Sequence, residues 1–185
     1  MTFDLTHNGS PVPWTTPWTG EETGYSVVRS KIAGGHFVLS QKSAMGEGRP
    51  IFGGAHMDRQ RQAVIQGRCD VCGGMIRQHQ ARVLLHPGNR LTGTDDTGHV
   101  MAPCHRACAR QSAQVCPWLI RQIEAGELVV TVVKKADVAL AQLDPEIVES
   151  ETGQWFDFPV FGHAKLIVRA GMTRDAEWLM REATS

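Results

Sequence analysis

Two short cysteine-containing segments constrain the fold of this chain more than any other feature. The first reads CDVCGG and contains Cys69 and Cys72, and the second reads PCHRAC and contains Cys104, His105 and Cys108. Thiolates and imidazoles are the ligands that zinc prefers, usually four of them in a tetrahedral arrangement. The chain has five cysteines, and an odd number of thiols in a reducing compartment disfavours a framework of disulfides. The two segments therefore predict a zinc site.

The first segment has the form of a zinc knuckle. Two cysteines separated by two residues can turn their sulfurs to one side of a tight turn, and Gly73 and Gly74 permit backbone angles that other residues resist. A redox-active C-x-x-C motif would instead require a thioredoxin-like β-α-β setting. Because a pair of strands is expected after Cys72, the metal-binding interpretation is favoured.

The second segment offers more donors than one ion can use. His105 and Cys108 are three residues apart and would project from nearly one face of the first turn of a helix, and Cys104 remains an alternative to His105. Cys116 lies two helical turns beyond Cys108, about 12 Å along the axis, which is too far to share the ion. We expect it to be a buried thiol packed beside Trp118. The predicted ligands of a structural Zn²⁺ are therefore Cys69, Cys72, His105 and Cys108.

The order of the expected elements defines the fold class. A knuckle, a strand pair and a helix with the last two ligands have the layout of a treble-clef zinc finger. We therefore predict an α+β protein in which a treble-clef-like zinc site at about 67–120 packs with a small antiparallel sheet from 25–40 and 127–170. Residues 1–24 are rich in Pro and Trp and are expected to cover a single α+β domain at 25–185, with Trp14 and Trp18 pinned onto it.

Local patterns predict the remaining elements. Gly34 and Gly35 indicate a hairpin within 25–40, and Gly67 is placed to end a helix that begins near residue 56. Thr173 is the expected N-cap of the C-terminal helix. The other predictions are a strand, loop and strand at 80–103, helices at 104–116 and after Pro117, a strand at 127–135, a short helix and loop at 136–153, and a strand pair at 154–171 interrupted at Pro159 or Gly162.

Several motifs resemble an uncharacterised family of bacterial and phage proteins. They are PVPW near the start, C-x-x-C-G in the middle, and PCH-x-x-C followed by CPWL, and they occur in the same order over roughly residues 10–120. The resemblance implies a zinc-type site at Cys69, Cys72, His105 and Cys108. It implies no activity.

Charge is unevenly distributed along the chain, although the formal net charge is zero. Residues 56–121 contain nine Arg and four Asp, a net charge of +5, whereas residues 122–185 contain eleven acidic and six basic residues, a net charge of −5. The two halves can pair with each other, or the basic one can bind phosphate groups. The candidate nucleic-acid contacts are Arg68, Arg77, Arg82, Arg106 and Arg110, of which Arg68 and Arg106 would also offset the negative charge of a Cys₃His zinc centre.

The partner and the compartment are predicted only broadly. We expect a macromolecular partner, either nucleic acid or protein, and no small-molecule cofactor. Apolar runs fall short of the roughly 20 residues of a membrane helix, and the first residues have neither the basic nor the apolar region of a signal peptide, so a cytoplasmic protein is expected.

An enzymatic alternative is a metal-dependent nuclease of the His-Asn-His type, because such nucleases are also built on treble-clef scaffolds. The candidate catalytic residues would be His86, Asn89 and His99, which lie in the sequence between the two cysteine-containing segments. A catalytic metal needs an open coordination position, and the helix that would supply it already carries His105 and Cys108. A non-enzymatic binding module is therefore the favoured interpretation.

Overall fold

The computed structural model describes residues 5–87 and 99–181, and these form a mixed α+β fold, which confirms the predicted class. The strands are β1 (Thr6–His7), β2 (Ser10–Pro11), β3 (Ser26–Arg29), β4 (Phe37–Ser40), β5 (Arg82–Pro87), β6 (Cys104–His105), β7 (Leu128–Gln142) and β8 (Phe161–Arg174). The helices are α1 (Met57–Gln66), α2 (Arg106–Val115), α3 (Pro117–Glu124), α4 (Pro145–Thr152) and α5 (Ala176–Met180). None of these helices has the length and the apolar character that a membrane span requires.

One curled sheet contains strands from both the N-terminal and the C-terminal parts of the chain. Its six strands have the order β3-β4-β8-β7-β5-β6, and all neighbours are antiparallel except β4 and β8, which meet in parallel at Val38 and Phe161. The sequence predicted a small antiparallel sheet from 25–40 and 127–170 packed against the zinc module. Instead, β4 pairs with β8 in parallel, and β5 and β6 belong to the same sheet as β7 and β8, so that Cys104 and His105 lie in this sheet whereas Cys69 and Cys72 lie outside it.

The longest elements are β7 and β8, and their extent contradicts two predictions. Residues 136–142, expected to be a short helix and loop, continue β7, and the helix that follows begins only at Pro145. The strand pair expected at 154–171 is one strand, β8, which begins at Phe161 after Pro159. Ala, Leu and Gln have no preference for strands, but pairing along β8 as far as Gln142 and Phe161 overrides their propensity.

The two faces of this sheet bury two different clusters. Val83 and Leu85 of β5 face a core formed with α2, α3 and α5, which also contains Cys69, Cys104 and Cys108. Leu84, between them, points to the opposite face and packs with α1 and β8. This alternation follows from the period-two geometry of a strand, and it leaves β5 buried on both sides.

The helix ends depend on residues that the sequence only partly revealed. Gly67 ends α1 with the left-handed conformation that was predicted, at φ +70°. The expected cap Thr173 lies within β8 instead, and the side chain of Asp175 caps α5 by accepting a hydrogen bond from the N–H of Trp178. Thr173 cannot act as a cap because β8 extends one residue further.

A buried ion pair anchors the start of the chain. Glu21 is fully buried and accepts two hydrogen bonds of 2.7 Å from the guanidinium of Arg59 on α1. The same carboxylate accepts the backbone N–H groups of Trp18 and Ala44. Burial would raise the pKa of Glu21, but Arg59 and these two N–H groups hold it below its usual range. Glu21 therefore joins the N-terminal segment, the loop at 41–50 and α1.

Candidate metal centre

The first two cysteines lie in a turn whose backbone is fully specified by hydrogen bonds. The N–H of Cys69 donates to the carbonyl of Gly74 at 2.8 Å, and the N–H of Gly73 donates back to the carbonyl of Cys69 at 2.9 Å. Arg68 and Met75 form an antiparallel bridge at its base. This knuckle, residues 68–75, presents the sulfurs of Cys69 and Cys72 on one side.

The other two donors come from the start of α2. We expected His105 and Cys108 to lie on one helix face, but His105 is the N-cap in extended conformation, with φ −61° and ψ 146°, because its backbone still pairs with Arg82 of β5. Cys108 lies in the first turn of α2. The N–H of Asp70 donates to the carbonyl of Pro103 at 3.0 Å, so the knuckle also contacts the chain just before β6.

Four side chains meet in this arrangement, namely Cys69, Cys72, His105 and Cys108. Their ligand atoms all lie within 4.8 Å of one another, and the four residues could hold a metal ion. Cys104 instead turns its sulfur to the carbonyl of Val83, at 3.3 Å. Cys116 lies at the junction of α2 and α3 and is half-buried. The geometry therefore favours His105 over Cys104 as the fourth donor.

The donor set fits zinc in spacing as well as in chemistry. Tetrahedral zinc with Zn–S bonds of about 2.3 Å separates its ligand atoms by about 3.8 Å. The Nδ1 atom of His105 lies 3.5 Å from the sulfur of Cys72 and 3.8 Å from the sulfur of Cys108. Three of the four residues are buried and Cys72 is half-buried, so the cluster is shielded from water by protein.

The orientation of the His105 ring fixes which nitrogen is available to a metal. Nε2 lies 3.2 Å from the carbonyl oxygen of Met75, which can only accept a hydrogen bond. Nε2 therefore carries the proton, and the lone pair of Nδ1 points to the sulfurs. Metal-bound histidines commonly have a carbonyl partner of this kind on the other ring nitrogen, because it holds the ring in place.

Hydrogen bonds and burial together divide the thiols of the cluster into one with a lowered pKa and two with a raised pKa. The hydrogen bond that Cys108 donates to the sulfur of Cys69, with those from N–H groups that include that of His105, outweighs the effect of burial and lowers the pKa of Cys69 to about 5. The pKa of Cys108 is raised, first by that hydrogen bond and then by burial. Burial is also the main cause of the raised pKa of Cys72. Three thiolates at this distance repel one another, and a divalent cation would remove that repulsion.

The N-terminal segment covers the outer side of the knuckle. The N–H groups of Trp14 and Thr15 donate to the carbonyls of Val71 and Asp70, at 2.9 and 3.2 Å, and the Thr15 hydroxyl donates to the Asp70 carboxylate at 2.7 Å. The sequence predicted a covering segment with Trp14 pinned onto the domain, without indicating which part of the domain it would contact. The PVPW and CDVCGG motifs therefore touch in the fold, although they are almost sixty residues apart.

Gly73 permits this contact, and its replacement by alanine is expected to destabilise the protein. A Cβ atom at position 73 would lie 2.8 Å from two ring carbons of Trp14, and φ is +67°. We expect Gly73→Ala to cost about 2–5 kcal/mol, from left-handed strain and overpacking together. Urea unfolding, followed by tryptophan fluorescence, measures this cost.

Gly67 provides the matched control for this prediction. Its φ is +70°, almost the same as at Gly73, but apart from its chain neighbours no atom of the described residues lies within 4 Å of the position that a Cβ would take there. Gly67→Ala therefore measures the strain alone, about 1–2 kcal/mol. Equal costs at the two glycines would show that Trp14 does not pack on the knuckle.

The five candidate arginines occupy different places. Arg68 donates to the carbonyl of Gly73 at 3.1 Å and so lies against the knuckle. Arg106, expected beside the ligands, instead stacks 4.1 Å from the Trp178 ring and donates to the carbonyl oxygens of Trp178 and Arg181. Arg110 is half-buried on α2. Arg77 and Arg82 line one groove beside the knuckle, at the end of α1.

The residues of the nuclease alternative are only partly described. Asn89 lies outside the described residues, whereas the rings of His86 and His99 are neighbours with centroids 6.1 Å apart. His86 is 4% exposed, and its Nδ1 donates to the carbonyl of Pro87 while Nε2 accepts from the hydroxyl of Thr131. Burial lowers the pKa of both histidines. Both ring nitrogens of His86 are thus engaged by neighbouring protein atoms.

Comparisons of the chain with known protein families, with curated proteins and with solved structures find no match. The functional conclusions therefore rest on the geometry of the site. The sequence grouped the four side chains that the structure brings together, but it did not indicate the contact of His105 with the Met75 carbonyl or the groove beside the knuckle. Neither feature has a signal in the sequence. Any residue can supply a backbone carbonyl, and a groove is formed by residues from several distant segments that share no motif.

Proposed function

We propose that the chain is a zinc-stabilised binding module without catalytic activity. The observation that carries the proposal is the closed donor set of Cys69, Cys72, His105 and Cys108, whose ligand atoms all lie within 4.8 Å of one another. Four protein ligands are typical of structural zinc, whereas catalytic zinc keeps one position for water or substrate. The ion would join the knuckle to the start of α2. The Met75 carbonyl would hold the His105 ring so that Nδ1 faces the ion.

A treble-clef description is part of this proposal. The knuckle, the short β5–β6 pair and α2 follow one another in the order of that motif, and each half supplies two donors. The module would bind a macromolecular partner, either protein or nucleic acid. The concentration of arginine in residues 56–121 supports the nucleic-acid version.

Metal content in purified variants tests the ligand set. We expect one zinc per chain in the wild type and in Cys104→Ala and Cys116→Ser, because these two sulfurs lie outside the cluster. His105→Ala should lose the imidazole donor and bind zinc at least 10-fold more weakly. Full zinc retention in His105→Ala together with its loss in Cys104→Ala would assign the fourth ligand to Cys104.

The nuclease alternative is favoured by one observation, the proximity of His86 and His99. A plasmid-nicking assay in Mg²⁺, Mn²⁺ or Zn²⁺ separates it from the binding module, with His86→Ala and His99→Ala as controls. The binding-module proposal expects no nicking. Metal-dependent nicking that both variants abolish would establish the nuclease instead.

A further inference from the structure

A groove of about 640 Å³ lies where the sheet loses a strand. β5 pairs with β7 from Pro87 opposite Leu128 to Arg82 opposite Val133, and residues 76–81 then turn away towards the knuckle. Continuing that register would place a strand opposite residues 134–138. The groove occupies this position, between the turn before β5, the end of α1 and β7.

The edge of β7 that borders the groove is available for pairing. Beyond Val133, β7 pairs with β8 on its other side, and within residues 5–87 and 99–181 no strand pairs with the outer edge. Over residues 136–140, where the pairing with β8 is regular, every second residue of β7 directs its N–H and C=O to that outer side, whereas register shifts between Val133 and Lys135 and between Lys135 and Ala136 interrupt this alternation. Val138, which lines the groove, is 45% exposed.

Among the described residues, the lining of the groove has basic side chains and no acidic one. Arg77, Arg82 and Lys134 line it together with three glutamines, over an apolar floor that includes Ile76 and Leu166. The acidic residue of β7 nearest to the groove is Asp137, which lies on the opposite face of the strand. There its carboxylate accepts a 2.7 Å hydrogen bond from Arg169. The lining therefore complements an anionic ligand with some apolar side chains.

Arg82 gives an independent indication of such a ligand. Its Nε atom is buried and has no hydrogen-bond partner among the described residues. A buried donor without a partner is destabilising, and a carboxylate is the acceptor that best matches a guanidinium. Arg82 is also the residue at which β5 leaves β7.

We propose that this groove binds an extended acidic segment of a partner protein, which adds to β7 as a further strand. The inference rests on the proposed function as a binding module and names its surface and partner chemistry. Backbone pairing with residues 134–138 would supply affinity, and Arg77, Arg82 and Lys134 would select acidic side chains. A second copy of this chain is a poor occupant, because its own β7 edge carries Lys134 and Lys135. Single-stranded nucleic acid is disfavoured because no Phe, Tyr or Trp among the described residues lines the groove for base stacking.

The test is a titration of the zinc-loaded, full-length chain with a blocked peptide of about seven residues that alternates Glu and Val, followed by amide NMR shifts. At about 1 mM peptide, enough to half-fill a millimolar site, we expect shifts at residues 77–82 and 134–138 and none at residues 26–40. Two peptides are controls: a Lys/Val peptide of opposite charge, and a Glu/Pro peptide that lacks N–H groups at every second position.

Charge reversal identifies the groove as the binding surface. Arg77→Glu combined with Lys134→Glu should weaken binding at least 10-fold, whereas Lys31→Glu, in the exposed turn between β3 and β4, should leave it unchanged. The proposal is wrong if the Glu/Val peptide produces no shifts, if either control peptide binds equally well, or if an oligothymidine of about 12 nucleotides binds the same residues more tightly. Zinc content and circular dichroism of the same sample separate failure of this inference from failure of the zinc proposal.

Arg82→Met separates binding from stability. Because the substitution removes a buried donor that has no partner among the described residues, it should leave the unfolding midpoint unchanged or raise it. It should also weaken binding of the Glu/Val peptide at least 5-fold. A purely structural Arg82 would give the opposite result, a lower midpoint with unchanged peptide affinity.

Discussion

Replacing Cys69 with serine is expected to abolish cooperative unfolding of the chain at neutral pH. Cys69 is fully buried in the core that α2, α3 and α5 share with β5 and β7, so its loss affects the packing of the whole segment. Structural zinc contributes about 10–16 kcal/mol in small zinc modules, which equals or exceeds the net stability of a typical domain. Near-ultraviolet circular dichroism and thermal unfolding measure the loss.

Cys116→Ser is the matched control for this substitution. Cys116 is half-buried and lies outside the four-residue cluster, so the same chemical change should cost about 1 kcal/mol or less. Similar stability of the two serine variants would show that no metal clamps the knuckle to α2.

Replacing Glu21 with glutamine is expected to destabilise the protein by about 3–5 kcal/mol, because it leaves the buried charge of Arg59 without a counter-ion. Arg59 is 5% exposed, and its other side-chain hydrogen bond is to the carbonyl of Thr16. Glutamine has nearly the volume of glutamate, so a loss of this size reports charge and not packing. Urea unfolding with zinc present gives the free energy.

Glu47→Gln is the control, since Glu47 is 68% exposed and lies 3.9 Å from Lys42 in an open ion pair. Its loss should change stability by less than about 1 kcal/mol. The double variant Glu21→Gln with Arg59→Met removes both charges, keeps an oxygen that can accept from the buried N–H groups of Trp18 and Ala44, and should recover part of the loss. A Glu21→Gln cost no larger than that of Glu47→Gln would contradict the role given to the buried pair.

The pH dependence of the same variant follows from the lowered pKa of Glu21. The ionised carboxylate stabilises the fold fully above its ordinary pKa of 4.5, and this contribution is lost as the pH falls through the lower folded value. The difference in unfolding free energy between wild type and Glu21→Gln should therefore be constant above about pH 4.5 and narrow below it. Comparing the two proteins cancels the zinc contribution, which they share.

The sequence predicted those turns and helix ends whose conformation depends only on residues close together in the chain. Gly34 and Gly35 marked the β3–β4 turn, and Gly67 marked the end of α1, because positive φ angles leave few alternatives to glycine. The spacing of Cys69, Cys72, His105 and Cys108 brought together donors that the structure places in one cluster.

The remaining features depend on long-range contacts without a periodic signal. Residues 136–142 became a strand only because β8 pairs with them, and His105 became an N-cap because β6 pairs with β5 at that residue. The packing of Trp14 on Gly73 joins distant parts of the chain. The conformation of these residues is determined by tertiary contacts, and a single sequence does not show which distant residues will be in contact.

Metal analysis of the purified chain before and after chelation is the most direct test of the central claim. The account predicts one zinc per chain, and its removal by a strong chelator should eliminate the near-ultraviolet signal and the unfolding transition, with recovery on adding zinc back. A chain that purifies without metal, is fully folded and is unaffected by the chelator would contradict it.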